Sequence, residues 1–280
     1  MGNHIGCQLG WGYGPVDLPS LGRHTGGMDF DISHLLDQWE YQPGQVVVRR
    51  FKAVDGKDKI QLRVDLGLLQ MNAEGRPDGK RPFAHPSLLQ YYRARLRKYV
   101  ASHDGSEEGF RLNGEDCAKL QLEALQYHHR YICMLQLEDY GAVTRDAERN
   151  LDVFDFVAKY AENEELAWSL QQFRPQLLMV LARARGSEAL KANDYAAAIR
   201  QVEDGVEQIR AFYRCHARSE VAEVSPEAQS LENWLNEIRS QRPLSRREKL
   251  ERALQEAIGR EDYEKAARMR DAIRNLKPVE

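Results

Sequence analysis

Apolar and polar residues alternate strictly in one segment near the beginning of the chain. Residues 60–66 read Ile-Gln-Leu-Arg-Val-Asp-Leu, which is the two-residue period of a strand with one buried face. Asp55-Gly56 separates this segment from the β-branched run at residues 46–48 and is the strongest short-range signal for a hairpin turn. The sequence therefore predicts a small β-hairpin unit over residues 28–84, after a short helical turn near Ser33.

A helical period replaces this alternation after Pro86, where apolar residues recur every three or four positions. The expected helix starts are clear. Asn113 stands three residues before Asp116, and Ser225-Pro226-Glu227 combines a cap, a proline at the first helical position and an acid in the first turn. Pro175 breaks or starts a further helix. The pattern predicts an α+β protein that is mainly α, with a helical body over residues 85–242.

One local pattern occurs three times, in the segments LEDYGAVTRDA, KANDYAAAIRQ and GREDYEKAARM. Each places Asp-Tyr at the entry of a helix, with a small residue three positions after the tyrosine. We expect the tyrosine to pack into the corner between two helices. The pattern resembles the entry to the second helix of tetratricopeptide-type hairpins, but the copies are irregularly spaced and do not follow that family's period of about 34 residues. The body is therefore predicted to contain tetratricopeptide-like antiparallel hairpins without a regular repeat.

Residues 243–280 are predicted to form a closing helical hairpin. Ser245 and Glu248 match a capping box, and Gly259 is the expected left-handed stop of the first helix. The apolar positions of the first helix are Leu250, Ala253, Leu254, Ala257 and Ile258. Those of the second helix are Tyr263, Ala266, Met269, Ile273 and Leu276. The remaining positions carry interleaved charges of both signs, which is typical of a solvated helix face or a charge-matched protein interface.

Such a hairpin is too small to bury its own apolar stripe. A unit below about 40 residues usually needs a disulfide, a metal or a partner, and no cysteine or metal-ligand set lies in this segment. We expect the stripe to pack either on the chain's own helices or against a partner. In the second case, two hairpins would pack face to face as a four-helix bundle.

Composition narrows the class of protein. The 280 residues carry a net charge of -3, so no global field attracts nucleic acid. The four cysteines are far apart, which is compatible with a reducing compartment. No apolar run reaches the roughly 18 residues of a membrane helix, and we expect a cytoplasmic protein. Residues 1–27 are rich in glycine and are predicted to be a disordered tail, with Met28 as an alternative start.

The closing segment resembles a known family. Residues 248–276, and especially Glu261-Asp262-Tyr263-Glu264-Lys265-Ala266-Ala267 followed by Arg270-Asp271 and Ile273, look like the UVR motif. This is the helical hairpin of the UvrB and UvrC components of bacterial nucleotide excision repair and of some Clp-system proteins. The rest of the chain resembles a group of uncharacterised bacterial proteins that carry this motif. In that family the motif is a protein–protein contact without catalysis. The resemblance implies these interaction residues: Leu250, Leu254, Ile258, Tyr263, Ala266, Ala267, Met269, Arg270 and Ile273.

No residue pattern predicts chemistry. The phosphate loop of a UvrB-like helicase, the nuclease signatures of UvrC and the paired CxxC motifs of UVR-containing kinase activators are all missing. His128-His129 and Cys215-His216 are sequential neighbours, which do not face one another on a helix. The segment RPDGKRP has no following helix to hold an anion and is interpreted as a turn. We therefore assign no catalytic residue, cofactor site or metal site, and we expect no cofactor.

These observations predict a non-enzymatic adaptor or scaffold that presents the hairpin to a partner. The partner is a UVR-motif protein, another helical protein or a second copy of the chain, and the setting is excision repair or Clp-type protein quality control. One alternative is a nucleic-acid-binding accessory protein that uses the basic strands, where Lys52, Lys57, Lys59 and Arg63 follow VVVRRF. The other alternative is an enzyme with an unrecognised site.

Overall fold

The computed structural model describes residues 31–216, 219–244 and 246–275, apart from the side chain of Ser219. Over these ranges the protein is α+β and mainly α, as predicted. The predicted tail at residues 1–27, Met28, the capping serine Ser245 and Leu276 lie outside the described residues. The chain divides into a unit that ends at Tyr41, which contains helix α1 (Ser33–Leu36), and a unit that begins at Gln42.

The second unit opens with a three-stranded antiparallel sheet in the order β1 (Val47–Lys52), β2 (Asp58–Val64), β3 (Gly67–Asn72). The predicted hairpin turn joins β1 to β2. Gly56 has a φ of +76°, and its amide donates to the Ala53 carbonyl oxygen at 2.9 Å. The sequence did not predict β3, because Gly-Leu-Leu-Gln-Met-Asn lacks the alternation of β2.

The expectation of one buried face on β2 is only partly correct. Ile60 is fully buried, but Leu66 lies in the turn between β2 and β3 and is 89% exposed. Gln61 and Arg63 on the other face are also buried. Gln61 donates to Gln70 of β3 at 2.8 Å, and Arg63 donates to the Asp65 carbonyl at 3.0 Å. Both side chains are satisfied inside the sheet, which allows polar residues to be buried there.

The chain then becomes helical. A single 3-10 turn (Pro82–Ala84) precedes the helices α2 (Leu88–Ala101), α3 (Gly114–Gln136), α4 (Tyr140–Tyr160), α5 (Glu164–Gln171), α6 (Arg174–Lys191), α7 (Tyr195–Cys215), α8 (Ser219–Val224), α9 (Pro226–Gln241), α10 (Arg246–Gly259) and α11 (Tyr263–Arg274). The predicted caps are confirmed: Asn113 accepts from the Asp116 amide at 2.9 Å, and Ser225 accepts from the Ala228 amide at 3.2 Å. Pro175 lies in the first turn of α6.

Two apolar clusters form the core. The first combines the sheet with α2 to α6 and includes Tyr92, Leu120 and Val157. The second combines α6, α7 and α9 and includes Val202, Ile209 and Leu231. Since α6 contributes to both clusters, it joins the sheet-bearing part of this unit to its later helices.

Two glycines inside helices allow this close packing. A Cβ on Gly205 of α7 would collide with the Cβ of Ala182 on α6, and a Cβ on Gly186 would lie 2.8 Å from the Trp234 ring of α9. Glycine costs about 1 kcal/mol in a helix interior. The short distances between α6, α7 and α9 explain why glycine nevertheless occupies both positions.

A buried polar cluster connects the loop after β3 to the helices. Glu123 of α3 accepts from the Leu88 amide at 2.8 Å, from Arg76 Nε at 2.8 Å and from Arg149. This carboxylate therefore holds the N-terminus of α2 and two arginines at once. Because the Glu123 carboxylate is fully buried and bonds to all three groups, the cluster fixes how the loop lies on α3 and α4.

A second buried ion pair supports the same loop. Arg130 of α3 forms a two-point contact with Asp146 of α4, at 2.6 and 2.8 Å, and both side chains are 1% exposed. The remaining nitrogen of Arg130 donates to the carbonyls of Asn72 and Gly75, at 3.0 and 2.7 Å. The backbone of the loop is thus held by a rigid, fully satisfied arginine.

Candidate interaction surface on the α10–α11 hairpin

The three Asp-Tyr segments adopt the same backbone geometry in the corners α3–α4, α6–α7 and α10–α11. In each corner the residue before the aspartate is left-handed, the aspartate amide donates back to a carbonyl five residues earlier at 2.9 Å, and the aspartate side chain caps the next helix. The left-handed residues are Glu138, Asn193 and Glu261, with φ of +55°, +58° and +58°. The capping residues are Asp139, Asp194 and Asp262.

The predicted left-handed stop at Gly259 is wrong. Gly259 is the last residue of α10, and the chain reverses at Glu261 instead. The Asp262 amide closes the turn on the Ala257 carbonyl, and the Asp262 side chain accepts from the Lys265 amide at 3.0 Å. These two hydrogen bonds offset the conformational cost of placing Glu261, which is not a glycine, at a positive φ.

The corner tyrosines differ in a way that the sequence did not predict. Tyr140 and Tyr195 are partly buried and pack against the first and second apolar clusters, respectively. Tyr263 in the α10–α11 corner is 71% exposed. The third position after the tyrosine is buried in all three corners, at Val143, Ala198 and Ala266, and in the first corner it is a valine and not the small residue expected. The third corner therefore has the same backbone geometry as the others, but its tyrosine is exposed to solvent.

The apolar stripe of the hairpin is incompletely covered. In the described parts of α10 and α11, the buried residues are Ala257 and Ala266, where the two helices are packed on each other. Ile258 is 47% exposed, and Arg270 is exposed beside Asp271. The half-buried candidates are Leu250, Leu254, Ala267, Met269 and Ile273. The structure thus brings the nine candidate residues into one hairpin, and most of them keep contact with solvent.

An ion pair links the base of the hairpin to the end of α9. α10 and α11 pack principally against one another, and Arg242, which follows α9, pairs with Glu248 of α10. Exposed pairs also run along α10, between Arg247 and Glu251 at 2.9 Å and between Arg252 and Glu256 at 3.2 Å. Such pairs stabilise a helix weakly and keep its outer face in solvent.

Several basic side chains of the strands are paired with neighbouring side chains of the protein. Arg50 pairs with Asp58 at 3.1 Å and with Asp139 at 3.0 Å, and Lys59 bonds to the Asn72 side chain. Arg63 is buried, as described above. Lys52 and Lys57 remain exposed. The strands therefore offer fewer free charges to nucleic acid than their sequence suggests.

One histidine of each pair considered above contacts a group outside that pair, and His216 Nδ1 lies 2.8 Å from the Phe212 carbonyl oxygen. His128 Nδ1 lies 2.6 Å from the Tyr131 hydroxyl, and burial, followed by the neighbouring His129, lowers the pKa of His128. Burial raises the pKa of the Cys117 thiol to about 11, which keeps it protonated and inert. Within the ranges that the structure describes, no three His, Cys, Asp or Glu side chains are arranged to hold a metal ion.

The geometry defines a mainly α protein with a helical hairpin of incompletely covered apolar side chains. The UVR family model, described as the UvrB/uvrC motif, matches residues 245–277. The chain therefore carries a UvrB/UvrC motif, as the sequence indicated. No curated protein and no solved structure matches the chain. No helix in the described residues has the length and apolar character that a membrane crossing requires.

Proposed function

We propose that this chain is a non-enzymatic adaptor that binds a partner protein through the α10–α11 hairpin. The observation that carries the proposal is the exposure of Tyr263, in a corner whose two counterparts pack their tyrosines against neighbouring helices. Aromatic residues are enriched at the centres of protein interfaces, and an exposed tyrosine in the same hairpin as the exposed Ile258 fits such a centre.

The chemistry of the hairpin favours a helical partner. The buried residues of its described helices are alanines, its larger apolar side chains recur along one stripe of the sequence, and its exposed positions carry charges of both signs. A second amphipathic hairpin can cover such a stripe in a four-helix arrangement. The partner in this proposal is a UVR-motif protein, another helical protein or a second copy of this chain.

The cellular process that we propose for this adaptor follows from the UVR motif. UVR motifs occur in excision-repair and Clp-related proteins, where they mediate protein–protein contacts. We therefore place the adaptor in DNA repair or in Clp-type protein quality control, in the cytoplasm, as the spacing of its cysteines suggests. In this role the tetratricopeptide-like body serves as the scaffold that presents the hairpin.

The test is a capture experiment with the full-length chain and two matched variants. The first variant, Ile258→Ser/Tyr263→Ser, removes the two exposed apolar side chains of the hairpin. The second variant, Leu122→Ser/Leu125→Ser, removes two exposed leucines of α3. Purified UvrB, a purified Clp ATPase and the tagged chain itself serve as candidate partners.

We expect wild type and the α3 variant to bind one of these partners equally, and the hairpin variant to bind it at least tenfold more weakly, as truncation of a hot spot does. Removal of residues 245–280 should abolish the interaction. Equal binding by the hairpin variant, or binding to none of the three candidates, would refute the proposal.

A further inference from the structure

A cavity of about 700 Å³ lies between the β1–β2 turn and the loop that follows β3. Its volume is within the range of small-molecule sites. Basic side chains dominate the lining: Lys52 and Lys57 come from the β1–β2 side, and Arg76, Lys80 and Arg81 come from the loop. This loop contains the segment RPDGKRP, which the sequence analysis interpreted as a turn without a helix to support anion binding.

The two acids of the lining are already paired with arginines outside the cavity. Asp58 pairs with Arg50 at 3.1 Å, and Glu74 pairs with Arg145 at 2.9 Å. Neither Arg50 nor Arg145 lines the cavity. The acids therefore do little to neutralise the positive charge inside it.

Most of the basic side chains have no such partner. In the described part of the chain, the side chains of Lys52, Lys80 and Arg81 form no hydrogen bond or ion pair, and the acid nearest to Lys57 is Asp55 at 3.9 Å. Arg76 is the exception, since Glu123 and Asp78 hold it. The cavity thus collects three unpaired cations and the weakly paired Lys57 in a protein whose net charge is -3.

The loop is held in position before any ligand binds. Gly79 has a φ of +73°, and a Cβ there would collide with the Asn72 side chain, which itself lines the cavity. The buried Arg130 anchors the carbonyls of Asn72 and Gly75, as described above. A pre-organised site loses less entropy on binding than a flexible loop does.

We propose that this cavity binds a small anion that carries adjacent phosphate groups, such as an inorganic polyphosphate or the triphosphate of a nucleotide. Lysine and arginine together are the typical partners of phosphate oxygens. The lining described here contains no aromatic ring, so the site has no platform on which a base could stack. Recognition therefore acts through the phosphates. The proposal does not depend on the adaptor role, because none of its residues belongs to α10 or α11.

The experiment is titration calorimetry of the full-length chain with inorganic tripolyphosphate, at low and at high salt. Lys80→Ala/Arg81→Ala removes two cations of the cavity. Arg97→Ala/Lys98→Ala is the matched control, because it removes the same charge from exposed side chains of α2 that make no ion pair in the described residues. Circular dichroism confirms that each variant is folded.

We expect wild type and the control to bind tripolyphosphate with similar affinity, and the cavity variant to bind about tenfold or more weakly, since two charge-assisted contacts are lost. Binding should weaken with salt. ATP should compete with tripolyphosphate, whereas adenosine should not.

Three outcomes would overturn the proposal. These are no binding of tripolyphosphate at low salt, an equal loss of affinity in the control, and competition by adenosine. Binding of duplex DNA that tripolyphosphate cannot displace would also contradict it, because the ligand would then be an extended nucleic-acid backbone.

Discussion

At the scale of single residues, the buried carboxylate of Glu123 helps to fix how the loop after β3 lies against the helices. Glu123 contacts groups from the loop, from α2 and from α4, although these are far apart in sequence. A buried carboxylate is tolerated only when its oxygens are fully bonded. The cluster around Glu123 therefore specifies one arrangement of these elements.

Replacement of Glu123 by alanine should destabilise the protein strongly. The change removes a buried acceptor that Arg149, Arg76 and the Leu88 amide share, and loss of one partner of a buried ion pair typically costs about 3–5 kcal/mol. Urea unfolding measures the effect. The control is Glu188→Ala on the exposed face of α6, which should change the free energy of unfolding by less than about 0.5 kcal/mol. Similar values for the two variants would contradict this account.

At the scale of elements, the repeated corner is a local solution that the chain uses three times. It combines a left-handed residue, a backbone bond across the turn and a capping aspartate. All three parts lie within a few residues of each other, so the sequence alone could indicate them. The surroundings differ, and they decide whether the tyrosine that follows is covered.

The same substitution should affect stability differently inside and outside a corner. Asp194→Ala removes the cap of α7 and should lower the free energy of unfolding by about 1 kcal/mol. Asp204→Ala on the exposed face of the same helix should leave it unchanged or raise it slightly, because alanine favours a helix more than aspartate does. Thermal unfolding of both variants tests this, and equal shifts would show that the cap contributes nothing.

At the scale of the molecule, the hairpin lies outside the two apolar clusters. Neither cluster includes a residue of α10 or α11, and Ala257 and Ala266 are buried at the contact between the two helices. Few buried apolar contacts and many exposed backbone hydrogen bonds are typical of a region that opens locally at a low cost in free energy. This separation leaves the hairpin available for a partner.

Deletion of residues 245–280 should therefore leave the rest of the protein nearly as stable as before. We expect the free energy of unfolding of the remaining chain to change by less than about 1 kcal/mol, as for surface changes away from a core. Urea unfolding followed by tryptophan fluorescence measures it. A loss of several kcal/mol would mean that the hairpin packs into the body and is not free to bind.

The parts of the structure that depend on near neighbours were predictable. The Asp55-Gly56 turn, the caps at Asn113 and Ser225 and the strand β2 rest on residues close in sequence, and each is present. The strand β3 was not predicted, because its pairing with β2 outweighs the weak strand pattern of its own sequence. The chain reversal at Glu261 was not predicted, because the hydrogen bonds of Asp262 stabilise a left-handed residue that is not glycine.

The sequence by itself determined the mainly helical class, the three corners and the UVR-type hairpin, since periodicity, capping and motif are properties of short segments. Only the tertiary structure decided which side chains are covered. Burial and charge pairing depend on residues that are distant along the chain, as Glu123 shows for α2 and as the neighbouring helices show for the corner tyrosines. For the same reason, the exposure of Tyr263 and the unpaired cations around RPDGKRP became visible only in three dimensions.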